Sequence, residues 1–163
     1  MFVVQENDLS SMDDFPLRWR WTDRKYNLLS DVEIEQIRPL RHDKAAELDA
    51  ITRGLFGGPD PRIVGDTGSA LRSLAATHGA VSFDTSGDAL EGRTWLERTL
   101  PASDCDVFVS WNKDTAVLTR MSIFVQYWDD FCYPSSDDVA VLPVARDRIL
   151  YYWHEEVLTF CFV

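Results

Sequence analysis

The chain has 163 residues, 45% of them hydrophobic and 12% aromatic, enough to bury a sizeable core in a single domain without staples and too much apolar material for a disordered chain. Its 16 Lys and Arg against 27 Asp and Glu leave a formal net charge of −11, which opposes direct contact with nucleic acid or anionic membranes and favours basic protein partners. No apolar run reaches the roughly 18 residues of a membrane span, no basic-then-apolar signal segment opens the chain, and Cys105, Cys132 and Cys161 form no C-x-x-C pair, so a cytoplasmic protein with reduced thiols is expected.

In chain order, a polar start precedes Leu17-Arg18-Trp19-Arg20-Trp21, whose strict alternation predicts a strand with Leu17, Trp19 and Trp21 on one face. Arg18 and Arg20 then share the other face, where carboxylates are their expected partners. Ser30-Asp31-Val32-Glu33 is a capping box and starts a helix at Asp31 that Pro39 interrupts. Leu48, Ile51 and Leu55 support a second helix from about Arg41 to Arg53, and the Gly57 to Pro61 run ends it in a loop. A third helix fits Ser69 to Thr77, with Gly79 as its closing cap. A fourth fits Ala89 to Leu100, stopped by Pro101.

The period then changes. Val107 to Trp111 reads as a strand, Asn112-Lys113-Asp114 as a turn, and Thr115 to Trp128, rich in β-branched and aromatic residues, as the returning strand. Val139 to Val144, Ile149 to His154 and Val157 to Val163 supply three further strands. The expected fold is α+β: one domain over residues 1–163, with N-terminal helices packed on one face of a C-terminal antiparallel sheet. The final strand, almost wholly apolar, must lie between other strands or be covered by a second copy, so a homodimer is the alternative to central placement.

Chemistry-bearing motifs are sparse. Asp66-Thr67-Gly68-Ser69 has the letters of an aspartic-protease loop but lacks a second such loop, and it reads as a helix cap. The segment 127–138 carries two aspartate pairs, Asp129 with Asp130 and Asp137 with Asp138, around Tyr133 and Pro134; it has no calcium-loop spacing. There Trp128, Phe131 and Tyr133 are expected to be buried, with Asp137 and Asp138 solvated, because an unpaired carboxylate is costly to bury. His154-Glu155-Glu156 sets an imidazole beside carboxylates without H-E-x-x-H spacing, and no nucleotide-binding motif is present. No catalytic residue, metal ligand or cofactor is assigned on these grounds. Cys132 and Cys161 read as small buried hydrophobes.

The segments Tyr127 to Asp138 and Tyr152 to Glu156 resemble small acidic bacterial proteins of an uncharacterised domain family, and in style the chain is similar to immunity proteins of bacterial toxin systems. The resemblance spans roughly Val107 to Phe160 and implies a non-enzymatic protein that holds a basic protein partner. The residues expected to meet it are Asp129, Asp130, Tyr133, Asp137, Asp138, His154, Glu155 and Glu156. A small metal-dependent hydrolase using His154 and neighbouring carboxylates is the alternative.

Overall fold

A computed structural model describes residues 2–25, 29–55, 80–100, 104–145 and 148–162. The helix expected at Ser69 to Thr77, the Gly57 to Pro61 loop and the Asp66 to Ser69 motif lie outside the described residues. In chain order the regular elements are α1 (Trp19–Thr22), α2 (Asp31–Ile34), β1 (Arg38–Pro39), α3 (His42–Leu55), β2 (Val81–Asp84), α4 (Ala89–Thr99), β3 (Asp106–Asn112), β4 (Thr115–Arg120), α5 (Met121–Gln126), α6 (Trp128–Phe131), β5 (Val139–Pro143), β6 (Arg148–Trp153) and β7 (Val157–Phe162).

All the described strands join one seven-stranded antiparallel sheet in the order β1-β4-β3-β5-β6-β7-β2. The α+β class is as expected, and the five predicted C-terminal strands all lie in this sheet. The almost wholly apolar β7 sits between β6 and β2, with Leu158, Phe160 and Cys161 buried. The strand thus has the central placement expected, with Phe162 at its end left exposed.

Period-2 alternation splits the core between the two faces of the sheet. Val107, Val109, Val117, Val141, Leu150, Tyr152, Leu158 and Phe160 face one cluster, which also takes in Phe15, Trp21, Leu96, Phe124, Trp128 and Phe131. Phe108, Ala116, Leu118, Leu142, Ile149, Tyr151, Trp153 and Cys161 face the other, which takes in Phe2, Leu40, Ala45 and Leu48. Helix α3 lies on this second side, and α4, α5 and α6 line the first. The sheet is thus covered on both faces, not on one, because its central strands are apolar on both sides and each side must leave water.

Two expectations fail locally. The alternating Leu17 to Trp21 segment is helical: α1 begins at Trp19, and both Arg20 and Trp21 are buried while Trp19 is 40% exposed. A strand sends neighbours to opposite faces, whereas a helical turn separates them by about 100°, which lets Arg20 and Trp21 point inward together. The strand expected to run from Thr115 to Trp128 stops at Arg120. Beyond it Met121, Phe124, Trp128 and Phe131 are buried at three- and four-residue spacing, a helical stripe in β-prone residue types. Asp104 receives the Ser122 backbone N–H at 3.0 Å and serves the first turn of α5.

The capping box forms as expected, with Ser30 and Glu33 exchanging bonds with each other's backbone. Helix α2 still lasts only one turn, since the chain extends into β1, where Pro39 is tolerated on a short edge strand.

Candidate functional site

The β4-to-β5 connection crosses over β3 and carries α5, α6 and the loop 132–138 to the end of the sheet where β6 turns into β7. A double latch joins the two loops. The Ser135 N–H donates to the His154 carbonyl at 2.9 Å. The Asp138 carboxylate accepts the His154 N–H at 3.1 Å and lies 2.8 Å from the ring Nδ1. Ser135 and Glu156 both adopt positive φ, 65° and 62°, marking the two tight turns. Glu156 in turn accepts the Thr85 N–H at 2.7 Å, fixing the end of β2.

Asp137 is the centre of the loop and is buried, contrary to the expectation that it would be solvated. The reason is Arg20: Nη1 reaches Asp137 Oδ2 at 2.5 Å and Nη2 reaches Oδ1 at 3.1 Å, a two-pronged pair with side chains 5% and 9% exposed. Asp137 also accepts the Tyr133 N–H at 2.9 Å, and its own N–H donates to the Tyr133 carbonyl. Paired and hydrogen-bonded in this way, the carboxylate escapes the cost of an uncompensated buried charge.

Trp128 and Phe131 are buried as expected, but Tyr133 is only half-buried. The Arg20 guanidinium lies 4.2 Å from the Tyr133 ring centroid, and the exposed Trp19 meets the same ring edge-on at 5.5 Å. Sequence reasoning paired Arg18 and Arg20 with carboxylates, and Arg18 does meet Asp13. It left out Trp19 and Arg20 as parts of this surface. The Arg-Trp interleaving was the available signal.

Asp129 is exposed and Asp130 half-buried at the start of α6, next to α1, and among the described residues neither forms an ion pair or a side-chain hydrogen bond. Burial, with the Asp129 carboxylate adding to it and Arg20 opposing, pushes the Asp130 carboxyl up to about 6. An aspartate whose folded pKa exceeds its unfolded value of about 3.9 binds a proton on folding between the two, so its charge weighs against the native state at neutral pH and less as pH falls. Asp130→Asn is therefore expected to raise the urea midpoint at about pH 7.5 and to leave it unchanged near pH 4. A loss of stability at the higher pH would mean that the carboxylate has a compensating partner.

His154 behaves oppositely. Its hydrogen bond to Asp138, reinforced by the charges of Asp138 and Glu155 and opposed by slight burial, raises the imidazole above its usual value. The pair's contribution is present below the unfolded pKa of about 6.5 and is lost as pH rises through the raised value. His154→Gln should accordingly cost more at pH ~5.5 than at pH ~8.5, by less than about 1 kcal/mol because the ring is well exposed. Paired denaturation curves at the two pH values check the sign.

Asp138 thus takes His154 away from Asp129 and Asp130. Among the described residues no group of three His, Cys, Asp or Glu side chains is arranged to hold a metal ion. Glu155 is exposed and Glu156 half-buried on the neighbouring turn. The three thiols are free; burial pushes Cys161 up to about 11 and Cys132 well above its ordinary value, as suits small core residues. No described helix is long and apolar enough to cross a membrane. Comparison with protein-family models, curated proteins and solved structures finds no match to the chain.

Proposed function

We propose that this chain is a non-enzymatic acidic binding protein that holds a basic protein partner, in the style of toxin-immunity proteins, on the surface formed by α1, α6 and the loop that follows. The observation that carries this reading is the Asp129 and Asp130 pair, two neighbouring carboxylates that form no ion pair among the described residues, one of them half-buried. Keeping such a charge costs folding stability, and function is the usual reason for that cost. An arriving Lys or Arg would lie against both carboxylates at once and offset one of their two charges.

Beside them the exposed Trp19, set against Tyr133, offers an aromatic anchor of the type that dominates interface energetics. The buried Arg20 and Asp137 pair holds that anchor rigid, so little order has to be gained on binding. Asp138, Glu155 and Glu156 form an acidic margin that steers a basic partner in, whereas Asp137 is committed to Arg20.

The test is affinity capture from the native host on immobilised wild type, Asp129→Asn/Asp130→Asn and Trp19→Ala. A basic protein held by wild type, released by about 0.5 M salt and held at least about tenfold less by both variants is the expected result. Equal retention by all three would remove this surface from consideration.

A further inference from the structure

Away from the acidic end, α4 lies along the β2 margin of the sheet and frames a shallow groove. Phe83 of β2 stacks on Trp95 of α4, with centroids 5.6 Å apart and ring planes 20° off parallel. Leu90 stands at the lip, 59% exposed. Val81 and Phe162 continue the patch at 53% and 59% exposure: Val81 opposes Phe160 in the sheet register, and Phe162 packs edge-on against Phe160 at 5.3 Å. Large exposed apolar groups gathered on one face mark an interaction surface.

The charges at this groove differ from those elsewhere. One carboxylate, Glu91, and one guanidinium, Arg98, line it, both exposed and neither in an ion pair among the described residues. They lie seven residues apart on α4, or roughly 10 Å along the axis at about 1.5 Å per residue. A basic partner meets Arg98 there and an acidic one meets Glu91, so neither is favoured. Two copies of α4 packed antiparallel about a two-fold axis between Thr94 and Trp95 bring Glu91 of each against Arg98 of the other. In such an interface residue i meets j and j meets i.

We propose that this groove is a self-association surface, occupied by the α4 and β2 face of a second copy of the chain through Leu90 and Trp95, with reciprocal Glu91 and Arg98 pairs. With a net charge of −11 most of the surface repels a second copy, and the charge-balanced apolar groove is where two copies approach at least cost.

Sedimentation velocity on the full chain between about 1 µM and about 500 µM tests it, this being the range of a small interface. The expected result is a monomer that becomes a dimer with concentration. Leu90→Asp, at an exposed position, should hold the chain monomeric with unchanged circular dichroism and thermal midpoint. Glu91→Arg and Arg98→Glu should each weaken the dimer roughly tenfold, and the double reversal should restore it.

The reversals also separate local pairing from bulk repulsion. Glu91→Arg makes the chain less negative and Arg98→Glu makes it more so, so repulsion alone would strengthen one dimer and weaken the other. Local pairing weakens both. A wild type that stays monomeric throughout, which would give the groove to a different partner, overturns the proposal. So does a dimer indifferent to Leu90→Asp, or single reversals that the double fails to rescue.

Discussion

Asp137→Ala is expected to cost about 3–5 kcal/mol of folding stability, and Arg20→Ala a similar amount. The pair is shut away from water, and each single change strands the other charge in the core beside Cys132, Phe131 and Trp111. Arg20 also donates to the Phe131 carbonyl at 3.4 Å and lies over the Tyr133 ring, while Asp137 holds the Tyr133 N–H. Loss of either member therefore loosens α1 and the loop 132–138 together. Arg20→Met with Asp137→Leu removes both charges and should lose clearly less than either single change, because what remains is the loss of ordinary hydrogen bonds at about 1 kcal/mol each. Urea denaturation of the four proteins measures the cycle. Singles that cost under about 1 kcal/mol would show that the pair is solvated.

That pair also explains where sequence reasoning stopped. The strands within Val107 to Trp111, Val139 to Val144 and Val157 to Val163 were legible because their β-branched and aromatic runs are buried on both faces, and the Ser30 box was legible because capping is local. Asp137 was not. Local rules place an aspartate after Pro134-Ser135-Ser136 in a solvated turn, and the guanidinium that overrules them lies 117 residues away in the sequence. The same distant contact selects the helical turn at Trp19, since an alternating strand would have turned Arg20 and Trp21 to opposite sides.

Other misreadings have different causes. In the segment after Arg120 a strong strand propensity conceals a helical stripe, and tertiary burial of Met121, Phe124, Trp128 and Phe131 decides the outcome. Strands β1 and β2 are short and lie at the two ends of the sheet, so they carry almost no periodic signal of their own. The acidic pair at Asp129 was visible as letters. That it forms no ion pair among the described residues could be learned only from the packing around it.

Gly92→Ala, on helix propensity alone, should stabilise α4 by about 1 kcal/mol. The structure reverses the sign. Gly92 is buried within α4 with the Trp128 indole against it: a Cβ at this position would fall 2.5 Å from Trp128 Cζ2 and 2.8 Å from Cε2. The indole cannot easily give way, since its Nε1–H donates to the Ala89 carbonyl at 2.9 Å and its ring packs toward Tyr152. Moving it breaks that bond and disturbs a core with few voids, so a net loss of about 1–2 kcal/mol is expected. Trp128→Leu removes the obstructing ring at its own cost in core packing, about 2–4 kcal/mol. In that background Gly92→Ala should turn stabilising by up to about 1 kcal/mol. Such a change of sign is what a double-mutant cycle between touching residues reports. A stabilising Gly92→Ala in the wild-type background would mean that Trp128 does not rest on this helix, and α6 would then have to sit farther from α4 than the structure places it.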